Sequence, residues 1–290
     1  MTAIVISAAL LATLAGPLAL GVAGALRGWR HWRLSTLSAV LHAIAFNLIF
    51  FIQEVFLVVP KALTPGLQPT LYHNNHTWQG DHPLAHLFQG TGALAILLVG
   101  LGFAFWLVRR PPASAALRLF VVWMAFQGFY QSIPQVVVGA VFPGNDVGMA
   151  LNYLGLGAGA KAFAAFAALA ALIGAGLWLT PRMLSVAPDA QDVDTPTKRA
   201  RFILGVATLP ALVALPIIIL SRVPGSIDQV VIVPVAVMII GLGWLQASAW
   251  REQRVATGAT HSYRLATPIA ALAAIIAFFH VVLRPGVAFF

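Results

Sequence analysis

The sequence predicts an all-α, polytopic helical bundle for a membrane, with about eight transmembrane helices and both termini on the outer side. Three observations predict it. Hydrophobic residues make up 60% of the chain and charged residues only 9%, against about a quarter charged in a water-soluble domain. The apolar residues come in blocks of roughly 20 or more, enough to cross about 30 Å of hydrocarbon. The basic residues fall mainly in alternate connections, as the positive-inside rule requires.

Taken in order, the spans fall at 3–26, 34–59, 84–108, 115–141, 155–180, 202–221, 229–249 and 265–283. The first has no basic residue before it and Arg27, Arg30 and Arg33 after it. A cleavable signal has the opposite polarity, so this reads as a retained helix with its N-terminus outside. The inner connections then carry Arg27, Arg30, Arg33; Arg109, Arg110, Arg118; Arg182, Lys198, Arg199, Arg201; and Arg251, Arg254, Arg264. The outer ones carry only Lys61, Arg222 and Arg284. Trp29, Trp32, Trp106, Trp178 and Trp250 lie near the inner boundaries, as an aromatic belt does. The expectation is a single transmembrane domain over 1–290 in a bacterial inner (cytoplasmic) membrane, with the lipid bilayer as its partner.

Two connections stand apart. An inner polar linker at about 181–201, with Asp189, Asp192, Asp194 and Lys198, is too short for a domain and separates five helices from three. An outer histidine-rich loop at about 60–83 precedes the third span. The fifth span is rich in small residues, among them Gly155, Gly157, Gly159, Ala164, Ala168 and Gly174. Small residues let helix backbones approach closely, so this span is expected at the centre. Pro134, Pro210, Pro216 and Pro234 fall within spans, where they kink helices and free carbonyls.

The candidate chemistry lies on the outer side. His73 and His76 are spaced HxxH, and Asp81 and His82 are adjacent. His82 and His86 are four apart, which would put both on one face if the segment is helical. Such imidazoles can hold zinc, iron or copper; the alternative is an ordinary polar loop in which they cap turns, bond to Asn74 and Asn75 or sit at the interface like Tyr72 and Trp78. In the second span Asn47 and Glu54 are seven apart on one face, with Gln53 beside them. Glu54 falls near the outer interface at 1.5 Å rise per residue. Gln127, Tyr130 and Gln131 in the fourth span, Lys161 in the fifth and His280 in the eighth fall at similar depth. Charges inside spans usually face a bundle interior or a wet cavity, and Glu54 and Lys161 are the natural pair by sign and depth.

These residues point to a metal-dependent membrane enzyme, hydrolase-type, acting on a lipidic or outer-phase substrate. His73, His76, His82 and His86 would be ligands and Glu54 or Asp81 the general base. The alternatives are a small-molecule or ion transporter using Glu54, Lys161 and the glutamines, and a structural or assembly subunit of a membrane complex. Ser38xxxHis42, Asp81 and His82xxxHis86 resemble, in kind, the SxxxH, Asp and HxxxH elements with which membrane ceramidase-like hydrolases hold zinc. The order departs from that family, whose HxxxH sits on a late helix, so the likeness is one of chemistry. There is no cysteine, which excludes thiolate sites and disulfides. No P-loop, dinucleotide fingerprint or GxSxG occurs, and the basic residues form no nucleic-acid module. Haem is unfavoured, since His42 and His280 fall at different depths.

Overall fold

The computed structural model describes residues 21–290 except 226, 228–230, 254, 256, 261 and 262. Most of the expected first span, the start of the seventh and Arg254 lie outside the described residues. The chain divides into two compact units, 1–32 and 33–290. In the first, residues 21–25 are helical and Trp29 meets His31 edge-on, ring centroids 5.0 Å apart.

The second unit is a helical bundle. Its elements are α1 (Trp32–Ala62), α2 (Leu84–Phe88), α3 (Thr91–Arg109), α4 (Ala115–Val141), α5 (Asp146–Tyr153), α6 (Ala158–Leu184), α7 (Pro196–Ile203), α8 (Leu209–Arg222), α9 (Val233–Ser248) and α10 (Ala266–Phe278). Among the described residues, five segments are long and apolar enough to cross a membrane: Trp32–Ala62, Leu84–Arg109, Ala158–Leu184, Pro196–Arg222 and Ala266–Leu283. The α4 helix matches its expected bounds but is not among them. Its polar residues lower its hydropathy, and it can carry them because they are buried: Gln127, Tyr130, Gln131 and Ser132 are all shielded by neighbouring helices.

The centre of the bundle is therefore α4, and this corrects the expectation for the small-residue span. The α6 helix is largely exposed, and a side chain added at Gly155, Gly157, Gly159 or Gly174 would meet nothing within 4 Å. Close helix approach occurs elsewhere, between α3 and α4. A Cβ on Gly128 would lie 2.5 Å from the Gly100 Cα, so the two backbones touch where neither residue has a side chain.

Proline and π turns shape the seam between α1 and its neighbours. Leu204–Thr208 is a π turn, and Pro210 follows it. Proline has no N–H to give the carbonyl four residues back, so Val206 loses its partner. The Leu209 N–H reaches back five residues to Leu204, which frees the Gly205 carbonyl as well. Two α1 serines take both: Ser35 Oγ donates to Gly205 at 2.6 Å and Ser38 Oγ to Val206 at 2.5 Å. Pro60 in the last turn of α1 repeats the device. The Phe56 carbonyl four residues back accepts from Thr91 Oγ of α3 at 2.5 Å.

The outer loop is not wholly irregular. Gln68–Leu71 (β1) and His76–Gln79 (β2) form an antiparallel hairpin with Leu71 opposite His76. The C-terminal Val287–Ala288 (β3) adds to the other edge of β1, giving the order β2-β1-β3. Leu71 packs with Val58, Phe279 and Leu283, fixing this small sheet to α1 and to the π turn Phe279–Leu283 that ends α10.

Replacing Ser38 by alanine strands the Val206 carbonyl and removes the acceptor of the Trp123 indole N–H. An orphaned buried polar group costs about 1–3 kcal/mol. Ser38→Ala is therefore expected to lower the thermal midpoint in detergent by several degrees, while Lys198→Ala, which removes an exposed ion pair with Asp194, leaves it nearly unchanged.

Candidate functional site

One stripe of α1 builds the site. Asn47, Phe50, Glu54, Leu57 and Lys61 recur at alternating three- and four-residue steps, so they share a face. Asn47 accepts from Ser221 Oγ at 2.8 Å, tying α1 to α8. Glu54 and Lys61 stand two turns apart, with exposures of 5% and 0%. Charged side chains are almost never this buried without partners.

The hairpin and α2 supply those partners. His76, at the start of β2, places its Nδ1 2.9 Å from Glu54 Oε2. Its Nε2 lies 3.0 Å from Gln89 Oε1, at the buried end of α2. Lys61 Nζ donates to Gln89 Oε1 at 3.2 Å and to the Leu57 carbonyl at 2.7 Å, and sits 3.5 Å from His76 Nε2. Trp78 covers the group: its ring stacks on His76 and lies 4.9 Å below the Lys61 ammonium. Both imidazole nitrogens thus face acceptor oxygens, and the Lys61 ammonium stands within reach of Nε2 as well.

Two further charges bear on this cluster. Asp146, at the start of α5, interacts electrostatically with Glu54, His76 and Lys61. Burial, then the Glu54 carboxylate, push its carboxyl above the usual range, and His76 and Lys61 oppose that shift. Arg222, at the end of α8, is within electrostatic reach of Glu54, and its guanidinium lies 3.8 Å from the Phe50 ring centroid. The site gathers two acids, two bases, one imidazole and one amide from α1, β2, the end of α2, α5 and α8.

The expected metal set does not assemble. Among the described residues no three His, Asp or Glu side chains converge on one point. His76 joins Glu54, whereas His73 sits in the hairpin turn, its ring centroid 5.7 Å from that of His280. The expected shared face of His82 and His86 fails because Pro83 intervenes and the helix starts only at Leu84. His82 Nδ1 instead accepts from the Leu84 N–H at 3.2 Å, while His86 and Asp81 are exposed. The likeness to a ceramidase-type zinc set fails with it. Ser38 is committed to the π turn, and His42 is buried 4.4 Å from the Trp123 ring.

The expected Glu54–Lys161 pair is also absent. Lys161 lies in the first turn of α6 and donates to Asn152 Oδ1. The glutamines form a seam between α4 and α1. Gln131 Nε2 donates to Gln127 Oε1 at 2.9 Å and to the Phe46 carbonyl at 3.3 Å, and Gln135 reaches Gln53 Oε1 at 2.8 Å. Gln127 Nε2 lies 3.4 Å from His42 Nδ1, and Tyr130 OH donates to Leu172 of α6 at 2.9 Å.

Sequence reasoning missed Lys61, Gln89, Asp146 and Arg222. Lys61 was visible in principle, since it continues the seven-residue step from Asn47 to Glu54. The other three come from separate segments and carry no local signal. No known protein family matches the chain, nor does any curated protein or solved structure.

Asp146→Asn tests the electrostatics. A carboxyl with a raised folded pKa penalises folding progressively as pH climbs from the ordinary carboxylate value to its own folded value and fully above that, and the penalty vanishes when both states are protonated. Asp146→Asn is expected to raise the thermal midpoint at neutral pH relative to the parent. The difference should shrink as pH falls below the ordinary carboxylate range. A pH-independent difference would exclude this reading.

Proposed function

We propose that the chain is a membrane protein of about eight spans, with the hairpin end and both termini outside, and that it works as an outward-facing enzyme by proton transfer. The basic connections at the opposite end of the bundle support that orientation through the positive-inside rule. The observation that carries the chemistry is the 2.9 Å contact between His76 Nδ1 and Glu54 Oε2.

In this reading Glu54 fixes the ring and its tautomer, as the third group of a nucleophile–base–orienter set does. Nδ1 is committed to Glu54, so Nε2 is the nitrogen that exchanges a proton with a bound molecule, which displaces Gln89 Oε1. Nε2 would take a proton from a water that attacks the substrate carbonyl or phosphorus and return it to the leaving oxygen or nitrogen. The Lys61 ammonium stabilises the negative charge that develops on the substrate oxygen, an attraction that shielding from bulk water strengthens. Hydrolysis of an ester, amide or phosphoester in a lipidic or outer-phase substrate is the reaction that suits these groups. Glu54 and His76 are two candidate metal ligands where a catalytic zinc takes three from the protein. The reading therefore rests on the dyad, and no step passes through a metal.

Transport is the weaker reading, because Lys161 is engaged by Asn152 and the glutamines bond to one another and to backbone. A purely structural role for the cluster is the reading that the assay must exclude. The purified protein in lipid nanodiscs should turn over at least one class in a panel of ester, amide and phosphoester lipids. His76→Asn should lower that rate about 10²–10⁴-fold, the usual worth of a general acid–base group. His86→Asn should leave it unchanged. Turnover indifferent to His76, or no turnover in any class, would overturn the proposal.

A further inference from the structure

The end of α4 and the start of α6 part around a groove of about 450 Å³ that the Glu54 centre does not use. Ala140 and Val141 wall it on the α4 side, and Ala162, Ala165 and Phe166 on the α6 side. Alanine side chains are too short to fill the space between the two helices, so a recess remains. From Ala158 to Phe166 it follows α6 for about 12 Å at 1.5 Å rise per residue. It lies at the hairpin end of the bundle, because a Cβ on Gly90, just after α2, would come within 2.8 Å of Ala150 in α5.

The groove is apolar except at one point. Lys161, one turn into α6, is the charged residue in its lining, and the residues deeper along the helix are alanine and phenylalanine. An ammonium has three N–H donors. Lys161 gives one to Asn152 Oδ1, at the end of α5, an uncharged acceptor. The Asn152 amide is itself turned by the Pro143 carbonyl, which accepts from its Nδ2 at 3.4 Å. Among the described residues no ion pair includes Lys161. The positive charge is therefore held in place but not neutralised, and donors remain for an anionic oxygen.

The surroundings say which kind of anion. Phe163 and Phe166 on the same stretch of α6 are 77% and 72% exposed, on a helix long and apolar enough to span a membrane. This side of the groove faces hydrocarbon, where a soluble anion does not go. An occupant needs an apolar chain to lie along Ala162, Ala165 and Phe166 and a negative group at the level of Lys161. A phospholipid with net negative charge has both, in that order from the membrane surface inward.

We propose that the α4–α6 groove is a binding site for one anionic phospholipid, its phosphate against Lys161 and Asn152 and an acyl chain along the alanine floor. The site is separate from the Glu54–His76 dyad. Its assignment to the outer leaflet rests on the orientation proposed above, whereas the site itself does not.

The chain has no cysteine, so one introduced thiol carries one fluorophore. Phe166→Cys and, on the facing wall, Val141→Cys report from the groove, and Leu98→Cys on the exposed face of α3 reports bulk lipid. Each labelled full chain is placed in phosphatidylcholine nanodiscs holding a small fraction of spin-labelled phosphatidylglycerol or phosphatidylcholine with the same acyl chains. Both groove reporters should be quenched by phosphatidylglycerol in about fivefold preference, the usual worth of one basic residue beside an anionic headgroup. Leu98→Cys should show no preference. Lys161→Gln should abolish the preference and Lys161→Arg keep it, with both variants monodisperse on gel filtration. His76→Asn should keep it too, so this site and the enzymatic proposal fail independently. No preference at either groove reporter, the same preference at Leu98→Cys, or a preference that survives Lys161→Gln would overturn the proposal. So would a dimeric parent that Ala165→Phe makes monomeric, because a second copy would then fill the groove.

Discussion

The constraint on which the rest of this structure depends is that α1 carries a carboxylate and an ammonium on the same apolar face. Each costs a few kcal/mol in hydrocarbon on insertion scales, and neither Glu54 nor Lys61 is exposed. They do not satisfy each other directly. The imidazole of His76 and the amide of Gln89 are interposed, and those residues come from the hairpin and from α2. Covering two charges on one helix thus obliges the outer connection to fold back onto the bundle. The β1–β2 register, with Leu71 facing the apolar cluster of Val58, Phe279 and Leu283, lets His76 reach Glu54.

A second regularity runs along the other end of α1. At the π turn before Pro210 and at Pro60, a hydroxyl on the facing helix takes a carbonyl that was freed. Ser35 and Ser38 do this for the segment before Pro210, and Thr91 does it for α1 itself at Pro60. In a bundle surrounded by lipid no water is at hand to pair such groups. The irregularities are therefore located where donors already stand, and α1 is bonded to α4, α8 and the π turn before α8 along its length.

Among the described residues, several helix positions were legible from the sequence to within a few residues because hydrophobic block length follows hydrocarbon thickness, a local property. The α4 bounds match the expectation for 115–141, and those of α6 and α10 lie within a few residues of it. That Glu54 and a loop histidine would need partners was legible too, from the rarity of a carboxylate in a span and the histidine content of the loop. Their direct contact was an inference that the geometry supports. What the sequence did not carry was which histidine goes where. HxxH spacing suggests one site, but a tight hairpin sends His73 and His76 to different neighbours. Pro83 likewise cancels the helical argument for His82 and His86. The centrality of α6 was misjudged because small residues permit close packing without requiring it.

The account stands most directly on the hairpin lying over Glu54. The chain has no native cysteine, so paired cysteines report proximity without background. Glu54→Cys with His76→Cys, treated in native membranes with a bifunctional thiol reagent about as long as the two side chains, is predicted to cross-link nearly completely. Glu54→Cys with His86→Cys is predicted to give little product. Equal cross-linking of both pairs, or none in the first, would contradict the account.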